Sequence, residues 1–155
     1  MTWNYLSFGR HKGKTLPQVL WIDPDWFFWA LDKNAFANRP LLKSEADDLY
    51  SKARRIRIPD GIVDDPEVEY LVHVPSKKFG TFYIVNADKP IHEGSSPAYR
   101  KKAIDLSIPR SIANYDKTGY RLFLQSLRYY IFGNSSARVD KQRAEAFYED
   151  SANFA

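Results

Sequence analysis

Residues 3–31 read WNYLSFGRHKGKTLPQVLWIDPDWFFWAL, and the rest of the chain is organised around this stretch. Tyr5, Leu6 and Phe8 make a brief β-prone run that stops at Gly9. Gly9 and Gly13 bracket Arg10, His11 and Lys12, with Lys14 just beyond. That spacing suits a tight turn whose ends need left-handed backbone. Thr15 with Gln18 three residues later is a capping-box signature. Pro17 falls in the first turn of the helix so announced, where a missing N–H costs little. The pattern predicts a helix over 16–22. Asp23 is then a second N-cap and Pro24 the first residue of a second helix, which carries Trp26, Phe27, Trp29, Ala30 and Leu31.

This arrangement sets a cationic turn beside a helix N-terminus. The backbone N–H groups of residues 14–17, less the one Pro17 lacks, carry partial positive charge. Arg10, Lys12 and Lys14 add full charges, and the combination attracts phosphate. The competing reading is a solvated loop whose charges only keep it in water.

The pattern FGRHKGKTLxxVLxxDPxWxxW resembles the small domain at the C-terminus of exodeoxyribonuclease X-like proteins, over residues 6–31. In that family the motif runs Phe-Gly-Lys/Arg-His/Tyr-Lys-Gly-Lys, a short helix, then Asp-Pro-x-aromatic-x-x-Trp. Short bacterial proteins resemble it as well. The domain accompanies a separate metal-dependent catalytic domain in the exonucleases, so the resemblance implies an accessory role with nucleic acid rather than catalysis. It places Arg10, Lys12 and Lys14 toward the ligand and Trp29 in the packing that holds the fold. This sequence departs from the family in containing no exonuclease domain, and an unrelated segment follows the motif.

Length and composition agree with one globular domain: 155 residues, 44% hydrophobic and 27% charged, are enough for a real core. A subdivision into a motif unit, 1–58, and a β-rich unit, 59–155, would fall at the turn signal Pro59-Asp60-Gly61. The chain has no cysteine, which removes disulfides, thiolate nucleophiles and cysteine metal sites together. It shows no secretory leader and no apolar run of membrane length, so a cytoplasmic protein without a membrane partner is expected. The net charge of +4 permits phosphate partners. Its distribution is more informative. Candidate nucleic-acid contacts are Arg10, His11, Lys12 and Lys14, then Lys77 and Lys78, then Arg100, Lys101 and Lys102. Acids gather instead between Asp60 and Glu69.

Beyond residue 31, Leu42, Ala46, Leu49, Tyr50 and Ala53 share one face of a helix over 41–54. Two β-branched and aromatic runs, 68–74 and 79–85, read as a hairpin. Phe79, Phe82 and Tyr83 on it are candidates for base stacking. Residues 86–97 read as an irregular loop suited to interaction. A further strand is predicted over 103–108, with Ile104, Leu106 and Ile108 on one face and Pro109 as its stop. Asp116 opens the clearest helix, which Gly133 ends. Tyr120, Phe123, Leu124, Leu127 and Ile131 form its core face, while Lys117, Arg121, Gln125 and Arg128 line another. A last helix over 138–150 is expected to bury Val139, Ala146 and Phe147. The fold class is α+β: an antiparallel sheet of three or four strands with helices packed on one side.

Catalytic signals are sparse. His11, His73 and His92 have no metal-ligand spacing, and no phosphate loop or nucleophile elbow is present. Asp60, Asp64, Asp65, Glu67 and Glu69 suggest a restriction-type nuclease core. The strand there reads Glu67-Val68-Glu69-Tyr70, however, without the lysine such a core needs. No cofactor or metal is expected. The sequence therefore predicts a small, non-catalytic nucleic-acid-binding module, with DNA favoured over RNA. The alternatives are a protein-interaction or inhibitor module, such as a mobile-element accessory, and a metal-dependent nuclease.

Overall fold

The computed structural model describes residues 2–90 and 98–155. In chain order they form α1 (Leu16–Ile22), α2 (Pro24–Asp32), α3 (Pro40–Ala53), β1 (Pro66–His73), β2 (Lys78–Asn86) and β3 (Ala98–Lys101). Then come α4 (Ile108–Ile112), α5 (Lys117–Phe132), α6 (Lys141–Glu149) and a final 3-10 turn, Ser151–Asn153. The fold is α+β, with one antiparallel sheet in the order β2-β1-β3.

The two short helices start where their caps say they should. Gln18 Oε1 accepts from the Thr15 N–H at 3.0 Å. Asp23 closes α1 and opens α2, its Oδ1 accepting from the Trp26 N–H at 3.3 Å. The β-prone run before them does not extend into a strand. It makes a single bridge, Tyr5 to Thr15, flanked by Leu6 N–H to Lys14 O and Gly13 N–H to Leu6 O, both 2.8 Å. These bonds close residues 6–14 into a small loop.

The sheet gains its hydrophobic cover from α5. Phe123 meets Phe82 at 4.7 Å, Phe79 at 5.3 Å and Tyr70 at 6.5 Å between ring centroids. Asp116 caps this helix by accepting from the Gly119 N–H at 2.7 Å, and Gly133 ends it in the left-handed region at φ 80°. The apolar cluster is continuous from Trp3, Leu20 and Phe27 through Leu49 and Val68 to Leu127 and Phe147. Each fully buried side chain of this size contributes roughly 1.5–3 kcal/mol. The cluster draws on both sides of the Pro59 turn. The opening residues are also tied to the last helix: Trp3 Nε1 donates to Glu149 at 2.9 Å and Thr15 Oγ1 to Glu145 at 2.8 Å.

Several sequence expectations are corrected. No strand forms over 103–108; the third strand lies just before it, and Ile104 keeps only one bridge, to Ile56. The cause is Asp105. It is buried, and its Oδ1 accepts from the Ser107 N–H at 2.9 Å and hydroxyl at 2.6 Å, folding the chain into a turn. Pro109 consequently sits in the first turn of α4 instead of stopping a strand. The last helix begins at Lys141, capped by Asp140, and buries Ala144, Phe147 and Tyr148. Ala146 is exposed and Val139 half-buried. Trp29 does not hold the core: it is 43% exposed, whereas Trp26 is 6% exposed. Residues 91–97 of the expected interaction loop lie outside the described residues. Among the described residues no helix is long and apolar enough to cross a membrane.

Candidate nucleic-acid interface

The 9–14 turn is fixed at both ends and from beneath. Gly9 and Gly13 take φ 77° and 87°. A Cβ on Gly9 would also stand 3.1 Å from the Trp26 ring, so the turn lies directly on that indole. Beneath it Asp23, 9% exposed, gathers donors from three parts of the chain. Its Oδ2 is 2.8 Å from His11 Nε2 and 3.8 Å from the Arg10 guanidinium. Its Oδ1 accepts from Lys117 Nζ at 2.5 Å. Burial pushes the Asp23 carboxyl up, but the bonds from Lys117 and His11 outweigh it and hold the group below its ordinary value.

His11 is therefore an internal anchor and not a solvent-facing contact, contrary to the sequence expectation. It is 9% exposed and packs edge-on against Trp26 at 5.3 Å. The expected phosphate seat at the start of α1 is also corrected. Thr15, Leu16 and Pro17 are buried, and the Thr15 hydroxyl is already bonded to the Glu145 carboxylate. That helix end is closed and bears an acid.

The remaining cations of the turn are differently placed. Lys12 is exposed and Lys14 half-buried, and neither forms an ion pair among the described residues. The Arg10 side chain is 60% exposed. Lys77, at φ 56°, and Lys78 stand exposed at the β1–β2 turn, also without an ion pair among the described residues. The start of α5 lies between these groups. One shallow cleft is lined by His73, Ser76, Lys78, Asp116 and Thr118. Another, of about 180 Å³, is lined by Arg10, Asp25, Trp26, Trp29, Tyr115 and Lys117. The hairpin tip and the glycine turn thus flank the same end of one helix.

Of the third predicted cluster, Arg100 is spent within the fold, while Lys101 and Lys102 are exposed but each paired with an acid. Arg100 donates from Nε and a terminal nitrogen to Glu69 Oε2 at 3.0 and 2.8 Å, and its side chain is 10% exposed. Lys101 pairs with Asp105 at 2.9 Å and Lys102 with Glu67 at 3.1 Å. These pairs also hold the two strand acids of the nuclease reading, while Asp60 pairs with Arg57 at 3.0 Å. Among the described residues no three His, Asp or Glu side chains gather as metal ligands would. Of the stacking candidates on the hairpin, Phe79 and Phe82 are buried and Tyr83 is 50% exposed. In the basic face of α5, Lys117 serves Asp23, and Arg128 donates to Trp21 O at 3.2 Å.

Sequence reasoning did not assign Trp29, Tyr115 and Lys117 to one site. They lie on α2 and at or just before the start of α5, which are drawn together by the Asp23–Lys117 pair, the Asp116 N–H on Asp25 at 3.4 Å and the Phe28–Tyr120 stack. Compared with family models, curated proteins and solved structures, the chain gives no match.

Proposed function

We propose that this chain is a non-catalytic nucleic-acid-binding module that grips the phosphate backbone with its glycine turn. The observation that carries this reading is the pairing state of the cations. Lys12 and Lys14 have no carboxylate partner among the described residues, and Arg10, its side chain 60% exposed, makes only a long ion pair to Asp23 at 3.8 Å. They sit on a turn that His11 and Trp26 keep in one shape. Lys77 and Lys78 add a second, smaller contact from the hairpin tip. Arg100, Lys101, Lys102 and His11 belong to the scaffold in this reading. The resemblance of residues 6–31 favours DNA over RNA as the partner.

The test is a binding titration at two salt concentrations with Lys12→Glu/Lys14→Glu. Each phosphate contact contributes about 0.9 to the slope of log affinity on log salt for a duplex, and about 0.7 for a single strand. Loss of two contacts should flatten the slope by roughly 1.4–1.8 and weaken binding. A double variant with unchanged affinity and slope would remove the proposal.

A further inference from the structure

The cleft between α2 and the start of α5 combines two features that a backbone contact alone does not require. Its floor is the buried Trp26, and it is also lined by two aromatic side chains left open, Trp29 at 43% and Tyr115 at 61% exposure. The Trp26 and Trp29 rings are 6.4 Å apart and inclined at 43°, so the two indoles form a continuous surface. Arg10 and Lys117 line the same cleft.

Both cations keep free donors. Arg10 has five N–H groups and its nearest carboxylate oxygen is 3.8 Å away. Lys117 gives one of its three donors to Asp23 and is 35% exposed. The acid in the lining, Asp25, is 3% exposed and engaged by Arg110 at 3.1 Å, so it does not oppose an anion with a bare charge.

These properties select the ligand chemistry. An apolar side chain in the cleft would strip water from Arg10 and Lys117 without replacing it. A bare phosphate would leave the indole and phenol unused. A planar ring joined to a phosphate satisfies both halves. At about 180 Å³ the cleft is smaller than the roughly 300–1,000 Å³ of pockets that enclose drug-sized ligands. It suits one ring system. A base inside a duplex hides its faces against its neighbours, so the ring must come from a strand whose bases are free.

We infer that this cleft takes one unstacked nucleobase, against Trp29 and Tyr115, with its phosphate on Arg10 and Lys117. The inference rests on the backbone-binding reading above and narrows it to single strands, strand ends or flipped bases. The test uses the whole chain and three labelled probes: a short single strand, an abasic strand of the same length, and the matching duplex. Wild type should bind the base-bearing strand about tenfold or more tightly than the abasic one. Trp29→Ala should reduce that strand to the abasic level and leave abasic binding unchanged; Trp29→Phe should restore most of the difference. Tyr115→Ala, outside every helix and strand, should show a smaller loss in the same direction. Equal binding of base-bearing and abasic strands by wild type would overturn the inference and leave the backbone reading intact. A Trp29→Ala variant that weakens all probes alike would overturn it too, because that is the mark of a structural role. Binding of none of the three probes by wild type would overturn both readings.

Discussion

Replacing Asp23 is the most informative perturbation of the fold. In Asp23→Ala three contributions disappear. The N-cap of α2 is lost, at about 0.5–2 kcal/mol. His11, buried, is left without its partner, at about 1–3 kcal/mol. The Lys117 bond is partly exposed and adds about 0.2–1 kcal/mol. One carboxylate makes all three, so they do not simply add, and a net loss of about 3 kcal/mol is expected. For a chain of this size that corresponds to a fall of roughly 6–12 °C in Tm. Asp23→Asn separates the causes. Asparagine caps a helix as well as aspartate does, so only the charge goes, and the loss should be about 1 kcal/mol. The assay is urea unfolding of the three proteins side by side. An Asp23→Ala unfolding free energy within about 1 kcal/mol of wild type would refute the description of Asp23 as a hub. Equal losses in the two variants would refute the division between cap and charge.

Acid should act through the same residue. The Asp23 pKa lies below its ordinary value of 3.8 in the folded chain, so its stabilisation is full above that value and drains as pH falls through the folded one. Wild type should therefore keep its stability advantage over Asp23→Asn from neutral pH down to about pH 4 and lose it as the pH falls further, read as converging urea midpoints. Gly119→Ala should destabilise by about 1–3 kcal/mol although alanine is the better helix former, because its Cβ would collide with the capping Asp116 carboxylate; thermal unfolding measures it. Glu69→Ala should cost about 1.5–3 kcal/mol by removing the two short bonds to Arg100, which keeps its longer pair to Glu67 at 3.8 Å, and Glu69→Ala/Arg100→Met should recover much of it. Calorimetry of the single and double variants decides this.

Elements whose ends are written in adjacent residues were legible from sequence. Thr15 with Gln18, Asp23 with Pro24, and Asp116 with Gly133 each specify a local cap, and all three helices begin where those residues place them. The hairpin followed from its β-branched and aromatic runs. The segment 103–108 misled because alternation records only the spacing of apolar residues. It does not reveal that the aspartate between them turns inward and bonds to its own backbone. Charge clusters misled in the same way. Arg100, Lys101 and Lys102 are adjacent in sequence, yet Glu69 and Glu67, the partners of Arg100 and Lys102, arrive from the neighbouring strand, and only Lys101 finds its partner, Asp105, nearby. Nor does anything local set Tyr115 beside Trp29, since the bonds that bring the residues before α5 to α2, Lys117 to Asp23 and Asp116 to Asp25, span more than ninety residues.

The bonds from Trp3 and Thr15 to α6 bear on when the protein acquires its shape. The glycine turn and its two helices are synthesised before Glu145 and Glu149, which lie far downstream of them in the chain. Until then the opening segment lacks two of its anchors, and Trp21 lacks Phe147, which it meets edge-on at 5.2 Å. The packing of this segment is thus completed only once α6 has been made and has docked against it. A nascent chain halted before residue 141 should expose aromatic surface and be held by chaperones.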